Sequence, residues 1–194
     1  MHLGTFYQYY FYAIWLLVVA FWVARARDVK VTARRQARLP RVVNLTLICG
    51  AAALLAGPFV SVAWLTDRVI PVTLWKEYCA AGAGLTLFGA LLMIWARIHL
   101  GRNWSSVAAV KVDHELVTDG PYRWMRHPIY SGLLLAFIGT ALAIGQWRGV
   151  LAVALVLVAF LQRIVIEDKF MREEFGAVYE SYAQHVRALV PWVI

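Results

Sequence analysis

Charge is scarce in this chain of 194 residues: Asp, Glu, Lys and Arg together make up 15%, while 62% of the residues are hydrophobic. A water-soluble domain of this length has more polar surface to fill, so an ordinary soluble fold is excluded. Cysteine is nearly absent. Cys49 and Cys79 each stand inside an apolar block with no CxxC partner and no ligand-type neighbours. That argues against a disulfide framework and against a metal site. Internal repeats and low-complexity stretches are missing. The first apolar block lacks a basic segment before it and runs into Arg25 and Arg27 without a small-residue cleavage site. It is expected to be a retained helix rather than a secretory leader.

What is present is a series of long apolar runs, at residues 6–24, 42–65, 78–98, 129–147 and 150–166. A helix of ~20 apolar residues crosses the ~30 Å hydrocarbon core of a bilayer. The pattern therefore predicts an all-α integral membrane protein with five transmembrane helices. Gly57 and Pro58 should kink or break the second. Gly82, Thr86 and Ala90 form a row of small residues on the third helix, and Gly132, Ala136 and Thr140 form another on the fourth. Such rows let membrane helices pack closely.

The net charge of +8 is a matter of placement. Of the nineteen Lys and Arg residues, only Arg68, Lys76 and Arg148 fall on one side of the expected helices; the other sixteen fall on the opposite side. The positive-inside rule then puts the N-terminus outside and the C-terminus in the cytoplasm, in the plasma membrane if the chain is prokaryotic. Topology accounts for the basic character without a nucleic-acid partner, and the basic first loop also suits anionic lipid headgroups. Tyr7, Tyr9, Tyr10 and Tyr12 fit an aromatic belt at the outer face.

The two halves differ. Residues 1–98 read as a three-helix scaffold. Residues 99–194 hold a polar, aromatic segment, then helices four and five, then a charged tail. In that tail Phe170, Phe175, Val178, Tyr182 and Val186 have helical spacing, which predicts a cytoplasmic surface helix. Chemistry concentrates around GPYRWMRHPIYSG, residues 120–132. Pro128 suits the first turn of a helix and pushes His127 into extended geometry at its mouth. Free backbone N–H groups there favour an anion. Helices four and five are joined by only residues 146–149, so they run antiparallel. Counting from Trp147, His127 lies level with Glu167, and Tyr130 level with Ile164, next to Arg163. Arg163 and Glu167 share a helix face. Arg123 and Arg126 read as ordinary positive-side anchors.

The stretches LGRNWS, HELVTDGPYRWMRHPIYSG, RIVIED and FGAVYESY together resemble the isoprenylcysteine carboxyl methyltransferase family and its phospholipid methyltransferase relatives. The resemblance covers residues 99–191. It implies an integral membrane enzyme that transfers a methyl group from S-adenosyl-L-methionine, in a cytoplasmic pocket built by the last helices and the C-terminal segment. The acceptor would be a lipophilic small molecule, lipid or lipidated substrate arriving from the bilayer. The family's cofactor-binding positions match His114, Glu115, Leu116, Val117, Tyr122, His127, Pro128, Ile129, Tyr130 and Glu167. Arg163 matches the arginine on the substrate side, so Arg163 and Glu167 are the expected catalytic pair. Two departures stand out. The usual Glu-Glu pair is Glu167-Asp168 here, and residues 107–110 are apolar where a polar residue is common in members acting on prenylated protein tails.

The implied reaction is a direct displacement that needs alignment and exclusion of water, and no metal. His127 and the helix-mouth amides are expected to take the cofactor carboxylate, and Glu167 its ribose or amino group. Tyr122, Tyr130 or Trp124 would shield the sulfonium by cation–π contact. Arg163 would pair with an acidic group of the substrate. An isoprenylcysteine carboxylate is the leading acceptor. A phospholipid amine and a small thiol are alternatives; an amine would need Glu167 or Asp168 as base. An NADPH-dependent sterol-type reductase and a non-enzymatic membrane scaffold complete the field.

Overall fold

The computed structural model describes residues 3–57, 62–105 and 107–191, apart from the side chain of Arg35. Helix α1 spans Leu3–Arg25, α2 Arg38–Ala56, α4 Trp75–Leu100, α5 Pro128–Ile144, α6 Trp147–Phe175 and α7 Ala177–His185; α3 is a single turn at Ala63–Thr66. Four segments are long and apolar enough to cross a membrane: Leu3–Arg25, Arg38–Ala56, Val72–Asn103 and Trp147–Phe175. The chain is an integral membrane protein. The fourth expected span, α5, is equally apolar but has only 17 residues. It opens at Pro128 and closes where Gly145 turns left-handed, with φ +62°.

The second apolar block is interrupted as its glycine implies. Helix α2 stops at Ala56, and Gly57 adopts φ +83° while its N–H bonds back to the Ala53 carbonyl. A left-handed glycine ends helices in this way because it carries no Cβ to clash. Pro58 lies outside the described residues. Helix α6 runs on past residue 166 to Phe175, so the expected tail helix begins inside it and resumes as α7 after Gly176, at φ +52°.

The all-α expectation needs one correction. Strands β1 (Thr32–Arg35) and β2 (Ala109–Lys111) form a two-stranded antiparallel sheet, with Thr32 opposite Lys111 and Arg35 opposite Ala109. The strands have four and three residues, too short for an alternating pattern, and their partners are distant in sequence. The buried Lys111 secures the sheet: its Nζ donates to the Lys30 carbonyl and to Thr32 Oγ1, both at 3.1 Å. The sheet thus ties the first basic loop to the polar segment that follows α4.

Helices α4 and α5 pack along their small-residue rows. A Cβ on Gly132 would lie 2.6 Å from both the Gly89 carbonyl oxygen and the Met93 amide nitrogen. Backbone meets backbone there, so dispersion contacts replace the hydrophobic drive that lipid cannot supply. Thr86 and Thr140 share a hydrogen bond at 3.3 Å in this seam. On the other face of α5, Phe137 packs with Ala51 of α2 and with Ala152, Val156 and Phe160 of α6. This core holds the middle of α5 against the first half of α6.

Candidate active site

The α5–α6 hairpin brings the expected residues to one level. Gly145 accepts from the Val69 amide at 2.9 Å and Trp147 N–H reaches the Asp67 carbonyl at 3.2 Å, which clamps the turn. At the far end, the Tyr130 hydroxyl lies 2.7 and 2.8 Å from the two Glu167 carboxylate oxygens. Arg163 Nε donates to Glu167 Oε1 at 2.9 Å, and its guanidinium sits 5.4 Å from the Tyr130 ring centre. His127 Nδ1 lies 3.5 Å from Glu167 Oε2. The His127 ring stacks on Tyr130 at 5.4 Å, and Tyr130 stacks on Phe160 at 4.8 Å. Aromatic stacking thereby locks the rotamers of the two polar rings.

Asp168, which the sequence offered only as the shortened member of the acidic pair and an alternative base, is the centre of the second half of this network. Its Oδ1 accepts from His127 Nε2 at 2.9 Å and from the Tyr179 hydroxyl at 2.5 Å; its Oδ2 accepts from Arg126 at 2.7 Å. Arg126 is therefore more than a positive-side anchor. It donates to the carbonyls of Ala183 and Val186, while the backbone N–H groups of Arg126 and His127 donate to Arg187 and Ala188 at 2.8 and 3.0 Å. Ser131 adds a bond to the Leu189 carbonyl at 2.6 Å. The C-terminal segment is laced over the mouth of α5 by these contacts. The signal for them was present in FGAVYESY: Tyr179 and Tyr182 are three apart and share the inward face of α7.

These residues open onto one cleft of about 800 Å3, open solvent included. Of the ten expected cofactor positions, nine line it: His114, Glu115, Leu116, Val117, Tyr122, His127, Ile129, Tyr130 and Glu167. Pro128 is buried in the helix and does not. Arg163 stands behind Glu167 rather than on the wall, with NH2 on the Ser105 carbonyl at 3.1 Å. Trp124 does not line the cleft either; it is half exposed and pairs with Trp95. Asn103, Trp104, Arg126, Tyr179 and Tyr182 also line it. Trp104 is held by the fully buried Arg97, whose guanidinium lies 4.6 Å from the ring while bonding the Gly101 and Arg25 carbonyls.

Electrostatics assign proton states to the groups at the rim. Burial works against the His127 cation, but its bonds to Asp168 and Glu167 prevail and hold its pKa above the ordinary histidine value. Burial lowers the pKa of His114, so its ring is neutral, and Nδ1 accepts from the Lys111 amide at 3.1 Å. Burial raises the Tyr122 and Tyr179 hydroxyls far above the ordinary range, so both stay protonated donors. A hydrogen bond from Asn103, aided by Lys30, holds the exposed Glu115 carboxyl below its ordinary value. The helix-mouth amides offer less to an anion than the sequence implied. Pro128 has no N–H, His127 N–H is bonded to Ala188, and Tyr130 and Ser131 N–H turn back to the His127 carbonyl. Arg126 is the better candidate: it lines the cleft, and its buried Nε has no hydrogen-bond partner among the described residues.

The sequence model of a family described as Phospholipid methyltransferase matches residues 78–178. A protein of Oryza sativa subsp. indica, "Probable protein-S-isoprenylcysteine O-methyltransferase", is 31% identical over 185 residues, which cover 92% of this chain and 96% of that protein. The protein-S-isoprenylcysteine O-methyltransferase of Schizosaccharomyces pombe is 33% identical over 123 residues, 62% of this chain and 52% of that one. The solved structure of the eukaryotic intramembrane Ras methyltransferase ICMT (isoprenylcysteine carboxyl methyltransferase) superposes with a TM-score of 0.48 and 23% identity, over 81% of this chain and 55% of that chain.

Proposed function

Given that the chain belongs to the isoprenylcysteine carboxyl methyltransferase family, within the wider phospholipid methyltransferase group, we propose that it methylates the carboxylate of a lipophilic, isoprenylcysteine-like acceptor, with S-adenosyl-L-methionine as donor. One observation carries the reading: His127, Tyr130, Glu167 and Arg126 converge on a single cleft at one end of a bundle of apolar helices.

The residues present fit the donor. The cleft presents groups of the right kinds for a nucleoside with an amino-acid arm. Its wall offers an orphaned guanidinium Nε at Arg126 for a carboxylate, the Glu167 carboxylate for hydroxyl or ammonium donors, and the Trp104, Tyr122 and Tyr182 rings for a flat base or a sulfonium. The donor supplies a methyl group on a positively charged sulfur. An acceptor carboxylate oxygen forms the new O–CH3 bond as the CH3–S bond breaks, giving a methyl ester and a neutral thioether. No proton has to leave the acceptor, so no general base is required. The protein's part is alignment and dehydration. Arg163 acts as a positioning residue, fixing Glu167 and Tyr130 from behind. Leu100, Val107, Ile129 and Met171 give the cleft an apolar side suited to a hydrocarbon chain.

Depth supports entry of the acceptor from the bilayer. We take α5 as the fifth span; its 17 residues are about 25 Å long, short of the ~30 Å hydrocarbon core. Its mouth, and the cleft with it, then lies at the lipid boundary rather than out in water. The cleft is at the end flanked by most of the cations, which supports a cytoplasmic face for it and an N-terminus outside.

The test is transfer of a tritiated methyl group by the purified protein in liposomes to S-farnesylcysteine with a free carboxylate. Alkali-labile incorporation, absent with the corresponding carboxamide, is the expected result. Alkali-stable label in phosphatidylethanolamine, with none in the cysteine derivative, would reassign the acceptor to a lipid amine.

A further inference from the structure

At the opposite end of the bundle lies a second cavity that the methyl-transfer reading does not use. Helix α1 packs mainly on α4, and α2 mainly on α6, so a groove remains between α1 and α2 above α5. It encloses about 1270 Å3, open space included. Trp15 forms its floor with Phe137, their rings 5.3 Å apart and nearly perpendicular, and Trp15 Nε1 is satisfied by Thr140 at 3.2 Å. Phe11, Val19 and Leu55 form apolar walls. The stretch lined by Phe11, Trp15, Val19, Leu55 and Phe137 suits hydrocarbon in a bilayer, because water there would meet few polar partners.

The end of the groove is different. Arg148, at the start of α6, lines it and is half buried. Its Nε donates to Gln146 Oε1 at 2.5 Å, and NH1 donates to the last carbonyls of α2, Leu54 and Leu55, at 2.8 and 3.1 Å. Those are neutral acceptors. Among the described residues Arg148 has no carboxylate partner, and the groove lining contains no Asp or Glu. Arg126, Arg163 and Arg34, by contrast, are each paired with an acid. A cation held at a membrane boundary without a counter-charge favours an anion.

We propose that this groove is a phospholipid site: one acyl chain lies over Trp15 and Phe137 between α1 and α2, and the phosphate of the headgroup pairs with Arg148. The site is separate from the cleft. It sits at the other end of α5, in the leaflet opposite the proposed chemistry. It binds the lipid as a structural or regulatory ligand and does not methylate it.

Native mass spectrometry of the detergent-purified protein, titrated with phosphatidylglycerol, tests this without reference to enzymatic activity. The wild type is expected to retain one lipid as detergent is stripped. Arg148→Gln should weaken retention about tenfold or more, the low end of what one charge-assisted hydrogen bond contributes. Ala52→Trp, at an exposed groove position away from Arg148, should block the chain and lower retention without touching the cation. Equal retention by wild type and both variants would mean annular lipid only and would overturn the site. Inorganic phosphate bound as tightly as the lipid would overturn the acyl-chain assignment. If Arg148→Gln does not fold, Ala52→Trp alone decides: undiminished retention in that variant rejects the groove.

Discussion

Replacing Asp168 with Asn tests how the cleft is held together. Asp168 accepts three hydrogen bonds, and its side chain is 11% exposed while that of Arg126 is 12% exposed. Solvent therefore screens the pair little. The amide keeps the shape and removes the charge that both Arg126 and a protonated His127 face. Breaking a buried ion pair costs roughly 3–5 kcal/mol; an isostere that retains one acceptor should cost less, about 2–3 kcal/mol. Because Arg126 also carries the 183–188 segment, the loss should appear as local opening rather than global unfolding. Hydrogen exchange reads it directly. The Arg126 and His127 amides, bonded to Arg187 and Ala188, should exchange roughly 30- to 100-fold faster, since each factor of ten is about 1.4 kcal/mol. The amides of the α4–α5 seam should not change. Tyr179→Phe, which removes one neutral donor, should accelerate the same amides only several-fold, for about 1 kcal/mol. Wild-type exchange in Asp168→Asn would refute the claim that this carboxylate docks the C-terminal segment.

Two further outcomes follow from packing and charge. Gly132→Ala puts a methyl group against the Gly89 and Met93 backbone, which cannot rotate away, so thermal unfolding should report a loss of about 1–3 kcal/mol; no loss would mean that α4 and α5 are not in backbone contact. The pKa of His127 is raised on folding, so its protonated form contributes stability that is complete below about pH 6.5 and is lost as pH climbs through the raised value. The unfolding midpoint should fall across that window in the wild type and stay flatter in His127→Gln.

Much of this arrangement was legible from spacing. A short connection, two residues in the structure, forces α5 and α6 into an antiparallel pair, and equal counts from Trp147 put His127 beside Glu167 and Tyr130 beside Ile164, next to Arg163, as the 3.5 and 5.4 Å separations report. Glycine rows signalled the α4–α5 seam for the same reason: they state a local periodicity. What depended on long-range pairing was not legible. Nothing local in TARR and AVK announces β1 and β2, because a strand pair of three rungs gains its stability from Lys111 and from neighbours far along the chain. Arg126 and Asp168 were underestimated because each has an ordinary local explanation, as an anchor and as a shortened acid. Their partnership appears only once α7 and residues 186–189 fold back over the mouth of α5. The anion site expected at that mouth is reduced for a related reason: the returning segment takes one of its amides, and the His127 carbonyl takes two more.

The most direct test of the central claim is isothermal titration of S-adenosylhomocysteine into the purified protein in lipid nanodiscs, with Glu167→Gln and His127→Ala alongside. The account predicts saturable one-to-one binding by the wild type, weakened at least about tenfold in both variants, as expected for loss of a buried charge-assisted contact. Absence of wild-type binding, or undiminished binding in both variants, would contradict the placement of the donor in the cleft at the mouth of α5.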